Sequence, residues 1–399
     1  MLHADEAPAT DPNAKRIRAW RGAEGFFRVG LETGGRWTLV DPEGRPFVAK
    51  AVHGVRGPAV ASDGEIAPDS VARLRHWGFN VLGAGTELAA RDEGLAFLGT
   101  VDFVRTPGAI AVGEVRLPDV FDPDWPRRAA ARAQEVCAPL ATERHVLGWV
   151  TDERAAWAQP AVAGRPTLLQ VCLSLEPGYA AYHAAWEFVL APHRGRIDAL
   201  ARAWGVSLAN KEVVRELTRA EEGLSTRGYL RDETRWTREF ARRYFSTTAA
   251  AIRAAAPHHL VLGCRFTGPT SATLLAECSY PAVDLALRDW RDLPPGGEAE
   301  TPSPVIASDV SWVSPEFLKL PAAARVLRLT SVEWMLRRAR TALDRMARHP
   351  AVVGYAWGQW QDEPGEQPPF ARGLVHVNGA EAREHTELLT QFNGRVESL

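Results

Sequence analysis

A rhythm constrains this chain more than any single motif does. Short apolar runs at about 48–53, 79–83, 98–104, 146–151, 260–265, 283–287, 304–308 and 352–357 alternate with stretches of helical period. Each run has the length of a strand buried on both faces and is too short for a buried helix. Between them, segments 70–77, 126–141, 237–256 and 332–349 place apolar residues every three to four positions, as a helix lying on a sheet does. Strands that alternate with helices pair in parallel, and eight of them make the pattern of a (β/α)8 TIM barrel. At 399 residues the chain is long for an ordinary domain, but such barrels commonly reach that size.

Two regions depart from the rhythm. Residues 25–49, GFFRVGLETGGRWTLVDPEGRPFVA, alternate and turn like a β-meander, with Gly34-Gly35 and Pro42-Glu43-Gly44 as turns. Residues 158–236 hold no strand of comparable quality and read as a long helical elaboration after the fourth strand. The segment 1–24, opening MLHADEAPATDPNAKR, reads as a disordered or extended lead-in. The expected organisation is therefore that segment plus one barrel domain over 25–399. LPPGGEAETPSP (293–304) reads as a loop into the seventh strand.

Composition narrows the function classes. A net charge of −2 without a basic tract argues against nucleic acid as a partner. No run of 18 apolar residues is present, so no membrane span is expected. Cys137, Cys172, Cys264 and Cys278 lie far apart, and neither CxxC nor HExxH spacing occurs, so neither metal nor cofactor is expected. The lead-in lacks the apolar core of an export signal, which points to the cytoplasm, or to secretion if such a signal has been cleaved. Oligomeric state is left open.

The chemistry is concentrated at strand ends. VLGWVTDERAAW (146–157) begins as a buried strand and ends in Asp152 and Glu153, with tryptophans on either side. Active sites of such barrels gather where strands end, which places Glu153 at the mouth. A carboxyl beside aromatic surface and a second acid is driven toward its protonated form, as a general acid requires. PVIASDVSW (304–312) repeats the design with Asp309 and Trp312. Two carboxylates flanking a mouth are the equipment of glycoside hydrolysis: one gives a proton to the departing oxygen, the other faces the oxocarbenium-like carbon.

Several stretches resemble the agarase-type glycoside hydrolases, a family of the (β/α)8 retaining clan. These are GGRWTLVDPEGRPFVAKAVHGV, HWGFNVLG, LPDVFDPDW, VLGWVTDERAAW, HHLVLGCRF, and VVGYAWGQWQDEP followed by GLVHV. Together they extend from about residue 25 to 377. The resemblance implies that Glu153 is the acid/base and Asp309 the counterpart of the nucleophile. It further implies that Asn80 and Arg265 line the mouth and that Trp357 is a floor on which a sugar stacks. Trp149, Trp157, Trp312 and Trp360 are candidates for further subsites.

Three positions depart from the family pattern. Asp152 stands where the family has Asn, His53 where it typically has Asn, and Asp309 where it has Glu, shorter by one methylene. The expected substrate is a β-linked oligo- or polysaccharide, galactose-containing chains among them, with His53, Asp152 and Trp312 as further sugar contacts. The competing expectation is a barrel that has lost catalysis and binds saccharide without turnover.

Overall fold

The structure, a computed structural model, describes residues 17–56, 70–87, 94–157, 165–266, 270–293, 303–313, 332–363, 365 and 371–396. Its strands in chain order are β1 Ile17–Arg21, β2 Arg28–Glu32, β3 Trp37–Val40, β4 Pro46–Phe47, β5 Ala49–Val52, β6 Val81–Leu82 and β7 Ala96–Thr100. They continue with β8 Ile110–Val112, β9 Val115–Leu117, β10 Val146–Ala155, β11 Leu260–Phe266, β12 Ala286–Asp289, β13 Val305–Val310 and β14 Val352–Trp357.

Eight of these form one parallel sheet in the order β11-β10-β7-β6-β5-β14-β13-β12. Its two ends meet where the backbone N–H groups of Asp284 and Leu285 donate to Val261 O at 2.8 and 3.3 Å. The result is a (β/α)8 TIM barrel, and each of the eight strands overlaps one of the apolar runs of the sequence. β1 to β4 form an antiparallel sheet in sequence order. It stands beside the N-terminal ends of the barrel strands, tied there by Trp37 N–H to Pro350 O at 2.8 Å. The lead-in expected over 1–24 stops short of that end: Ile17–Arg21 is a strand paired with β2, because Glu32, Leu31, Gly30 and Val29 offer it a ladder. Residues 1–16, and most of the 293–304 loop, lie outside the described residues.

Strand alternation sorts the core into two layers. Leu147, Val150, Leu260, Leu262, Leu287 and Ile306 fill the barrel together with Phe27 and Trp37 of the meander. Val146, Trp149, Val261, Cys264, Ala307 and Tyr355 belong to a larger cluster shared with the surrounding helices. All four cysteines are buried and free.

The stretch after β10 is helical in its described part, with helices Leu168–Ser174, Ala180–Leu190, Ile197–Trp204 and Glu212–Arg219. They lead into a 29-residue helix, Arg227–Ala255. Its buried stripe runs through Tyr229, Trp236, Phe240, Tyr244, Thr248 and Ile252, spaced by seven and then four residues as one face of a helix is. The Thr226 side chain caps its first turn. Glu233 on this helix accepts from Leu169 N–H at 2.8 Å and the Thr167 hydroxyl at 2.7 Å, fastening the start of the 168–174 helix. Among the described residues, no helix is long and apolar enough to cross a membrane.

Candidate active site

The C-terminal ends of four barrel strands bring five polar side chains into one hydrogen-bonded chain. Glu153 comes from β10, Arg265 from β11, Ser308 and Asp309 from β13, and His53 from the residue after β5. Arg265 is the hub. Its Nη1 donates to Glu153 Oε1 at 2.7 Å, Nη2 to Asp309 Oδ1 at 2.6 Å, and Nε to Asp309 Oδ2 at 3.2 Å. Nη2 also reaches Gly358 O at 3.1 Å. One planar guanidinium therefore spans both carboxyls, which places them within about 8 Å of each other. The cation itself is buried, whereas the Glu153 and Asp309 side chains remain 20% and 27% exposed, so both acids open to the mouth.

Local backbone irregularities aim these groups. In β13, Ile306 faces the barrel interior and Ala307 the helices, so plain alternation would turn Asp309 outward. Asp309 instead adopts φ 56°, in the left-handed region, and the pairing of β13 with β14 shifts register between Ala307 and Val310. This bulge lets Ser308 and Asp309 both turn inward. β10 shifts register between Val150 and Glu153, and Gly263 at φ 73° does similar work before Arg265. Gly85, at φ 72°, makes room for the acid: a Cβ there would lie 2.3 Å from Glu153 Oε2.

The electrostatics follow from these contacts. Burial alone would raise the Asp309 carboxyl, but the Arg265 charge and its hydrogen bonds outweigh it and hold the pKa down to about 2. Burial lowers Arg265, and the two carboxylates overcome that and raise it. His53 is pushed down to about 3, first by burial and then by the Arg265 charge, so it stays neutral. Its Nε2 lies 3.0 Å from Ser308 Oγ, and that hydroxyl donates to Asp309 Oδ2 at 2.7 Å.

Other expected contacts are placed elsewhere. Asp152 is fully buried and faces the helix layer, where it accepts from Val104 N–H at 2.8 Å and from the Tyr244 hydroxyl. Adjacent residues on a strand point to opposite faces, and the inward place is taken by Glu153. Burial pushes the Asp152 carboxyl up to about 7. Its acidity bears on stability and not on sugar binding.

Trp357 also faces outward: it is fully buried, donates to Arg372 O at 2.9 Å, and packs edge-on to Trp312 at 4.6 Å between ring centres. Trp312 donates to His385 Nδ1 at 3.1 Å, and Trp149 to His259 Nδ1 at 3.0 Å, so these rings are core. Trp157 and Trp360 are buried as well. Asn80 precedes β6 and so sits at the opposite end of the barrel, accepting from Lys50 N–H at 2.8 Å and donating to Val48 O at 3.0 Å. His53 is at the mouth but only 1% exposed, behind Ser308. Ser308 is the participant that sequence reasoning missed, since a Ser before an acid carries no signal of its own. Among the described residues, no group of three His, Cys, Asp or Glu side chains could hold a metal.

No family model matches the chain. Two curated proteins do: Beta-agarase A of Vibrio sp. (strain JT0107), 26% identical over 330 residues, and Beta-agarase B of the same strain, 22% identical over 312 residues. The chain is similar to the β-agarases. Each of these alignments takes in 74% of this chain and 32% of the relative, so the chain spans about a third of their length. Solved structures agree on the architecture. The agarase AgWH50C superposes with a TM-score of 0.64 at 18% identity, covering 96% of this chain and 68% of that one. An exo-β-agarase gives 0.66 at 20% identity, covering 96% and 66%. At such identities the likeness is one of fold, and the agarase-like barrel must be read through its own residues.

Proposed function

We propose that this agarase-like barrel hydrolyses a β-glycosidic bond in an oligo- or polysaccharide, with Glu153 as acid/base and Asp309 as nucleophile or base. The observation that carries the reading is that acids 156 positions apart in sequence converge on one guanidinium at one rim of the barrel. Glu153 would protonate the departing glycosidic oxygen while Asp309 attacks the anomeric carbon. Water would then enter, lose its proton to Glu153, and release the sugar from Asp309. Retaining enzymes hold such carboxyls about 5–5.5 Å apart and inverting ones about 6.5–9.5 Å, and a shared guanidinium is compatible with either, in which case Asp309 attacks carbon or activates a water. The agarase names of the relatives support a galactan as the class of substrate to test first.

One observation favours a second reading. The Arg265 contact on Oε1 favours the Glu153 anion and so opposes proton donation. A barrel in which Glu153 stays ionised would bind saccharide without turnover. Hydrolysis of agarose fragments and a β-galactoside panel separates the two. The expected result is cleavage by the wild type and a loss of at least about a hundredfold in Glu153→Gln. Full rate in Glu153→Gln refutes the assignment, and saturable binding by calorimetry without products establishes the binder.

A further inference from the structure

We propose that His53 and Ser308 are positioning residues that fix the Asp309 carboxylate so that one face of Oδ1 stays open to the sugar. The proposal rests on the hydrolase reading, and its second readout below does not.

The argument starts from protons. Ser308 has one hydroxyl hydrogen, and it is spent on Asp309 Oδ2 at 2.7 Å. The 3.0 Å contact between His53 Nε2 and Ser308 Oγ therefore needs its hydrogen from the imidazole. A neutral imidazole carries one N–H, so His53 is the Nε2–H tautomer, a donor that orients the serine and cannot itself accept from it. Gly83 leaves space for this ring: a Cβ there would lie 2.7 Å from His53 Nδ1. The His53 backbone is held in turn, its N–H donating to Trp357 O at 3.0 Å. The chain His53–Ser308–Asp309 thus runs from β5 to β13 at the level of the acid.

Its effect on Asp309 is directional. Oδ2 receives two hydrogen bonds, from Arg265 Nε and Ser308 Oγ, whereas Oδ1 receives one, from Arg265 Nη2. The less engaged oxygen retains an available lone pair, as attack at carbon or on a water requires. Arg265 alone would hold the carboxylate in a symmetric fork. Ser308 breaks that symmetry. Because His53 is behind Ser308 and buried, it acts through the serine and does not touch the sugar.

The charged and titratable groups facing Asp309 are Arg265 from β11, His53 after β5, Glu153 across the guanidinium, and Arg291 after β12. Ser308→Ala leaves all four in place and removes the one Ser308 hydrogen bond to Oδ2. Loss of one hydrogen bond to a charged acceptor predicts a fall of about ten- to a hundredfold in kcat with little change in KM. It also predicts a rise of about one to two units in the acidic limb of the pH profile. Ser308→Thr, which keeps the hydroxyl, should restore both, and His53→Gln should lie between. The second readout is carbon-13 titration of the Asp309 carboxyl, assigned by its absence in Asp309→Asn. In folded Ser308→Ala it should move upward. An unmoved Asp309 titration in Ser308→Ala, or in His53→Leu if that alanine variant does not fold, overturns the proposal. If no substrate is cleaved by the wild type, the hydrolase reading falls, and the titration still decides the positioning.

Discussion

Asp152→Asn should stabilise this protein, and do so only above acidic pH. The wild-type carboxyl is fully buried, accepting from Val104 N–H and the Tyr244 hydroxyl, and among the described residues no cation contacts it. Burial raises its pKa from 3.8 to about 7. A folded-state pKa above the unfolded one means that the neutral form suits the fold. That advantage is complete below about pH 4, where both states are protonated. It is lost between about pH 4 and 7 as the unfolded chain ionises and the folded one does not, and the loss levels off above pH 7. Three pH units at 1.36 kcal/mol each set the loss at about 4 kcal/mol.

The amide carries no such cost. Its oxygen keeps the Val104 N–H bond, and its NH2 can donate to Tyr244, whose oxygen accepts as readily as its hydroxyl donates. Urea unfolding of both proteins from pH 4 to 9 measures the difference. The variant's gain should be near zero at pH 4, grow through pH 5 and 6, and reach a plateau of up to about 4 kcal/mol at pH 8. A gain that does not vary with pH, or a less stable variant at pH 8, would refute the account of Asp152 as a buried, uncompensated acid.

Two further outcomes follow from the same geometry. Gly85→Ala puts a Cβ 2.3 Å from Glu153 Oε2 on a backbone at φ 72°, so it should cost about 1–3 kcal/mol in stability and displace the acid, seen as lost turnover with sugar binding retained. Trp357→Phe removes a buried indole N–H bond to Arg372 O and edge packing on Trp312; thermal unfolding should show a loss of about 1–3 kcal/mol while KM stays unchanged. A raised KM with unaltered stability would instead return Trp357 to the sugar site.

What the sequence made legible was the part that obeys a period. Eight apolar runs located all eight barrel strands, and the rule that barrel sites lie at strand ends led to Glu153 and Asp309. Assignment of side chains to faces was legible only where alternation holds. On β14, Val353 and Ala356 lie in the barrel cluster while Tyr355 and Trp357 lie in the helix cluster, so the aromatic ring at that strand end belongs to the core. Asn80 failed for a different reason: β6 has just two residues, and a residue at 80 is before it and not after it. Tyr244 was invisible as a polar contact because, in sequence, it is one more ring in a helical stripe.

The exception to the period also bears on the residue type at 309. At the end of β13 the agarase-type enzymes are expected to carry Glu, and this chain carries Asp309 on a left-handed backbone. Asp tolerates that region better than most residues, because its short polar side chain clashes less and can bond locally, as here to Ser308. The backbone turn does the inward aiming that a longer side chain would do from a regular strand. Asp309→Glu, which adds a methylene on the same left-handed backbone, should push the carboxyl past Arg265 and impair the site, not improve it.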